Sequence, residues 1–212
     1  MQSQKGNLII VSGFSGAGKG TLMKRLIDKY TNSYALSVSA TSRKPRPGEE
    51  DGREYFFKTK EEFETMISNG ELLEHANYVG NYYGTPKEYV FKKMEEGYDV
   101  ILEIEIQGAM QVKKMYEDAL LMFVSTPDAK TLKTRLTGRG TETEDVINSR
   151  LKRACEEAEG IEKYDYLIIN DDLETAVDTI HAISQNERFR IRNNLKFINN
   201  MREELKEFKE EK

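Results

Sequence analysis

The stretch GFSGAGKGT, residues 13–21, follows the apolar run NLIIVS at 7–12 and leads into Leu22, Met23, Leu26, Ile27 and Tyr30, which recur at helical spacing. A buried strand, a glycine loop and a helix in that order leave few folds open. Glycines let successive backbone N–H groups turn into one concavity, and the helix N-terminus adds its dipole, so the unit is built to hold phosphate. Gly13, Phe14, Ser15, Gly16, Ala17, Gly18, Lys19, Gly20 and Thr21 form the expected cradle for a nucleotide's phosphates, with Lys19 reaching the β and γ groups. The bland alternative is a glycine turn that only lets strand and helix pack, and the strand before and apolar helix after count against it. Gly20 stands where the usual pattern has Ser or Thr. Either the Thr21 hydroxyl serves the metal instead, or Mg²⁺ is held by ATP oxygens and water, as that ion tolerates.

Further apolar runs at 100–106 (VILEIEI), 119–124 (ALLMFV) and 166–170 (YLIIN) alternate with helix-like segments. That alternation predicts an α/β fold with a parallel sheet covered on both faces. Between the first helix and VILEIEI the pattern changes to short aromatic runs, EYFFKT and LLEHANYVGNYYG, with Gly80-Asn81 as a tight hairpin turn. A small antiparallel lobe is therefore expected inside the parallel core. Thr59 with Glu62 reads as a capping box, Thr85-Pro86 opens another helix that stops near Gly97, and Thr141 with Glu144 reads as a second box after the loop TGRG.

The chain has 212 residues, 33% of them charged and 38% hydrophobic, with a net charge of −5. This suits one soluble domain whose overall field repels polyanions, so a nucleic-acid partner is not expected. No run approaches the roughly 18 apolar residues of a membrane span, and a cytoplasmic location is the expectation. The lone Cys155 fits a reducing compartment as a structural or surface thiol, and His75 and His181 are read as structural or surface residues. The last stretch, MREELKEFKEEK, reads as a solvated helix end.

Arg43 and Arg46 flank Pro45 in SVSATSRKPRPGEEDGREYFF, and arginine's planar fork suits phosphate. Taken alone, a solvated charged loop explains that run equally well. Together with GFSGAGKGT, ELLEHANYVGNYYGTP, VILEIEIQG, RLTGRGTETEDVINSRL and the late NDD, however, it makes the chain resemble the guanylate kinases from about residue 7 to 172. The resemblance implies a P-loop nucleoside-monophosphate-kinase fold in one domain. Its core would be 1–36, 90–126 and 161–212, its GMP-binding lobe 37–89 and its helical lid 127–160. It implies transfer of the γ-phosphoryl of ATP to GMP, and to dGMP as well, giving ADP and GDP with Mg²⁺.

Carried over residue by residue, the resemblance places the GMP phosphate on Arg43, Arg46, Tyr55 and Tyr83, and guanine on Ser39, Glu74, Thr85 and Glu105. Judged singly, the tyrosines would be read as aromatic packing. Lys19, Arg43, Arg135, Arg139 and Arg150 would supply cations to the transferred group, the last three from the lid on closing; Arg139, between Gly138 and Gly140, is otherwise an exposed loop arginine. Glu105 departs from the family's aspartate by one methylene, which shifts its reach. Glu103 is either a carboxylate near Mg²⁺ or a plain strand-edge acid. A guanylate-kinase-like binding module that lost catalysis would not need Gly18 and Lys19. A kinase for AMP or a pyrimidine monophosphate is disfavoured by Glu74 with Ser39, a P-loop ATPase acting on nucleic acid by the acidic balance, and a GTPase by the missing hydroxyl at Gly20 and the lack of an N-K-x-D run.

Overall fold

The computed structural model describes residues 5–78, 80–138 and 143–210. In chain order these form β1 (Leu8–Gly13), α1 (Lys19–Lys29), β2 (Tyr34–Leu36), β3 (Ser39–Thr41), β4 (Tyr55–Phe57) and α2 (Lys60–Ser68). There follow β5 (Leu72–Tyr78), β6 (Asn81–Pro86), α3 (Lys87–Glu95), β7 (Asp99–Glu103), α4 (Ile106–Met115) and β8 (Leu120–Ser125). The chain continues with α5 (Ala129–Thr137), α6 (Glu144–Ala158), β9 (Tyr166–Ile169), α7 (Leu173–Glu187) and α8 (Leu195–Glu210).

Five strands pair in the order β2-β7-β1-β8-β9, every pair parallel. The strand period of two divides the core between the two faces of this sheet. Ile9 and Val11 pack on one face with Leu22 and Leu26 of α1 and Val177 and Ile180 of α7. Leu8 and Ile10 pack on the other with Val90 of α3 and Ala109 and Val112 of α4. Covering both faces explains why these strands read as unbroken apolar runs rather than alternating ones. Each such buried aliphatic side chain contributes about 1.5–3 kcal/mol.

The inserted lobe holds a second sheet, order β4-β3-β6-β5, over a small core of Ala40, Phe63 and Leu72. It is mixed rather than antiparallel. β6 runs antiparallel to β3 and β5, but β4 joins β3 in parallel because the long 42–54 loop returns the chain to the same end. The capping box that starts α2 is present, with Glu62 N–H donating to Thr59 Oγ1 at 3.1 Å and Thr59 N–H to the Glu62 carboxylate at 2.7 Å.

Two further expectations need correction. The run 100–106 does not stay extended: β7 ends at Glu103, and Ile106 already begins α4 with Glu105 as its N-cap. α6 begins at Glu144 behind Thr143, so Glu144 is the first helical residue and not the third of a box; Thr141 lies outside the described residues. β2, only three residues long, carries too little apolar pattern to be read from sequence, yet it forms the edge of the parallel sheet. His181, read as a structural or surface residue, has a structural place: it stacks on the Tyr30 ring at 3.6 Å between centroids and meets Tyr34 Oη at 2.8 Å through Nδ1.

The helix behind the phosphate loop is clamped from outside. Arg25 and Lys29 of α1 bind Glu174 of α7, and Lys29 also reaches Asp178 at 2.6 Å. Hydrogen bonds from Arg25 and then Lys29 hold the Glu174 carboxyl at about 2, below its ordinary 4.5. A depressed carboxylate contributes stability above its unfolded value and loses it as pH falls toward the folded one. Glu174→Gln should therefore lower the denaturation midpoint modestly at pH 7, since the pair is half exposed. The gap to the unmodified protein should shrink between about pH 4.5 and 2. Denaturant titrations at several pH values test this, and a gap that does not change with pH would refute it.

Candidate active site

The loop 13–21 leaves the C-terminal end of the central strand β1, and its curvature is possible only where glycine stands. Gly18, the N-cap of α1, has φ 88°, and a Cβ there would lie 2.7 Å from Asn170 Nδ2. At Gly13 a Cβ would meet the Val124 carbonyl oxygen at 2.2 Å. Lys19 curls back over the loop, its Nζ donating to the Gly13 carbonyl at 2.8 Å and the Phe14 carbonyl at 3.2 Å. The outer side of the loop is held from afar: Asn170 Nδ2 donates to the Ala17 carbonyl at 2.7 Å, buried, and Arg135 Nη1 approaches the same oxygen at 3.4 Å. Arg150 Nη1 donates to Ser15 Oγ at 2.9 Å. Arg135 and Arg150 thus both reach the loop in this structure. Arg139 lies outside the described residues.

A cleft of about 570 Å³ opens beside the loop, lined by Gly13, Ser15 and Lys19, by Glu103 and Glu105, and by Arg150, Arg153 and Glu157 of α6. Tyr78, at the end of β5, also lines it, so the cleft reaches from the parallel core to the lobe. A smaller hollow of about 260 Å³ gathers Ser15, Lys19, Gly20, Thr21 and Glu103. Crowding by the protein raises the Glu103 carboxyl above its ordinary value, and the charge of Lys19 offsets part of that rise. Thr21 is exposed on the first turn of α1 and faces the same hollow.

In the lobe, β3, β4 and β6 bring the remaining residues together. Ser39 lies opposite Tyr55, and Thr41 opposite Tyr83. The Tyr55 and Tyr83 rings meet edge to face at 6.1 Å, and the Arg43 guanidinium sits 5.4 Å over the Tyr55 ring. Arg43 is also paired with both oxygens of Glu49, at 3.0 and 2.9 Å, while the Arg46 backbone N–H donates to Glu49 Oε2 at 2.8 Å. The Arg43 bond, then that of Arg46, lowers the Glu49 carboxyl below the usual glutamate range.

Glu74 is the acid of this lobe that burial affects most. It is 8% exposed, and Thr85 Oγ1, itself fully buried, donates to its Oε1 at 2.8 Å. An irregularity in the β5–β6 register between Leu72 and His75 accompanies this pairing of Glu74 with Thr85. Burial raises the Glu74 carboxyl, the Thr85 bond opposes the rise, and the charge of Glu105 adds to it. Gly108 on α4 makes the room: a Cβ there would lie 3.2 Å from Glu74 Oε2. Glu105 itself turns to α6, with Oε2 2.6 Å from Arg153 Nη2.

Three residues at the site escaped the sequence reading. Arg153 and Glu157 follow Arg150 at intervals of three and four, one helical face that signals a shared surface once α6 is placed. Asn170 opens the NDD run, but its grip on the Ala17 carbonyl depends on β9 lying two strands from β1.

Comparison with known proteins agrees with this geometry. A family model described as guanylate kinase matches residues 5–187. A guanylate kinase of Bacillus cereus is 51% identical over 205 residues, covering 97% of this chain and all of that protein. One from Streptococcus thermophilus is 47% identical over 199 residues, 94% of this chain and 95% of that one. The crystal structure of guanylate kinase from Anaplasma phagocytophilum superposes with a TM-score of 0.70 at 31% identity, covering 93% of this chain and 95% of that chain. With a phosphate loop, a buried lobe carboxylate and a cleft joining them, matched along nearly its whole length, the chain belongs to the guanylate kinase family.

Proposed function

We propose that the chain carries the γ-phosphoryl group of ATP to GMP, giving ADP and GDP, across the cleft between loop 13–21 and the lobe. The observation that carries this reading is the cleft itself, which is lined both by Lys19 and by Tyr78, at the end of the strand that carries Glu74. In this reading the core and the lobe bind one nucleotide each, and α5 with α6 forms the lid segment.

The loop binds the ATP phosphates through its backbone N–H groups and the α1 dipole, with Lys19 exchanging its carbonyl partners for β and γ oxygens. Arg43, Arg46, Tyr55 and Tyr83 hold the GMP phosphate. Ser39, Glu74, Thr85 and Glu105 read the base. Guanine presents N1–H and N2–H donors on one edge, which a carboxylate accepts; adenine lacks that pair and would leave the buried Glu74 with Thr85 as its donor. Sites built on such buried bonds reject a mismatched ligand by about 10⁴-fold.

The nucleophile is an oxygen of the GMP phosphate, whose second pKa of about 6 leaves it largely ionised at neutral pH, so no general base is required. What the protein must do is bring two anions into line and hold the transferred group among cations. Lys19, Arg43, Arg135 and Arg150 fill that role, with Arg139 as a fifth. Among the described residues no group of three or more His, Cys, Asp or Glu is placed to cage a metal. Thr21 and Glu103 instead offer a hydroxyl and one carboxylate at the same hollow, a donor set that suits Mg²⁺ sharing its remaining positions with phosphate oxygens and water. Bound there, Mg²⁺ would neutralise charge on the β and γ phosphates. No helix among the described residues is long and apolar enough to cross a membrane.

Lys19→Ala should keep the fold and lose turnover by about 10²-fold or more, as loss of a cation that stabilises the transition state does. ADP release measured in a coupled assay with ATP, Mg²⁺ and GMP tests this, and near-normal turnover by folded variant would sink the assignment. Glu74→Gln replaces the acceptor by an amide and should raise the KM for GMP by about 10- to 100-fold while narrowing the preference over AMP. Unchanged kinetics with both monophosphates would remove Glu74 from the base site.

A further inference from the structure

The extra methylene of Glu105 has a partner on another element. As N-cap of α4, Glu105 makes no capping bond with its side chain. Its carboxylate instead extends to Arg153 Nη2 at 2.6 Å, and Arg153 Nε binds Glu157 Oε1 at 3.1 Å one turn further along α6. All three line the cleft that holds Lys19. The Glu105 side chain is 70% exposed, so without that contact it would spread over several rotamers. A guanidinium fork between two carboxylates fixes it, and also separates Glu105 from Glu157 by a positive charge. The preceding turn of the same helix sends Arg150 to Ser15 on the phosphate loop. One face of α6 therefore touches the donor loop with one arginine and the acceptor wall with the next.

We propose that Arg153 is a positioning residue for the acceptor base: it holds the Glu105 carboxylate in one rotamer on the wall of the cleft. This deepens the functional reading above and rests on the assignment of Glu105 to guanine. Aspartate at 105 would end about 1.5 Å short, one carbon–carbon bond, and so outside hydrogen-bond reach of Arg153. Arg153 and Glu105 are therefore coupled in this chain, and the coupling disappears when residue 105 is shortened.

Steady-state kinetics of Arg153→Ala, Glu105→Asp, the double variant and Glu105→Ala test this, each with GMP and ATP varied in turn. Arg153→Ala should raise the KM for GMP about 5-fold, the low end of site coupling for a half-exposed pair, while the KM for ATP holds. Adding Arg153→Ala to Glu105→Asp should leave the KM for GMP where Glu105→Asp alone puts it. An equal rise in both backgrounds, no rise at all, or a fall in kcat at unchanged KM would overturn the positioning role; the last would make Arg153 a cation of the transferred group. Glu105→Ala separates the two levels. If it leaves the KM for GMP unchanged, the guanine assignment fails; if it raises that KM and Arg153→Ala does not, only the role of Arg153 fails.

Discussion

A loop that turns its N–H groups inward to meet phosphate turns carbonyls outward, and those carbonyls need donors. An unsatisfied buried one costs about 1–3 kcal/mol. Here the donors come from the far end of the chain. The Ala17 carbonyl accepts from Asn170, 153 residues away, and is approached by Arg135. Asn170 is in place because β9 pairs with β8 and β8 with β1, so the shape of the loop depends on completion of the parallel sheet. The same dependence explains the glycines: with Asn170 and the Val124 backbone pressed against the loop, residues 13 and 18 have no space for a Cβ.

On the acceptor side the governing constraint is a carboxylate taken out of water. Burial raises the Glu74 carboxyl, and hydrogen bonds from the Thr85 hydroxyl and backbone oppose that rise. Buried polar groups of this kind discriminate strongly, because a base without the donor pair leaves the cost of burial in place. The lobe around it is small, with three fully packed apolar residues, and depends on β5 packing against α4 for its placement on the core.

Much of this was legible in sequence for identifiable reasons. β1 and β8 were readable because strands buried on both faces leave continuous apolar runs, and the phosphate loop because its geometry admits so few residues besides glycine. β7 was overextended because its last apolar residue, Ile106, belongs to the first turn of α4, where a helix and a strand use the same side chain. The parallel pairing of β4 with β3 was invisible because three-residue strands carry no register of their own. Arg43, Glu74 and Thr85 could be named from the family's motifs. Their partners Glu49 and Gly108 could not, since the sequence does not say which acid among Glu49, Glu50 and Asp51 faces the arginine, or that a helix glycine vacates space for a carboxylate.

The charge of the cleft explains how an acidic protein serves two polyanions. Among its described lining residues, Lys19, Arg150 and Arg153 face Glu103, Glu105 and Glu157, so the walls are close to neutral overall. Neutrality conceals a separation. The cations Lys19 and Arg150 lie against the phosphate loop, whose N–H groups and helix dipole add positive potential without adding net charge. The carboxylate of Glu105 is held instead by Arg153 of α6, further along the same cleft. Attraction is thereby local and oriented. A phosphate bound at the wrong end would face carboxylates, and a base at the loop would not match its N–H groups, so each substrate is aligned by what the opposite end refuses.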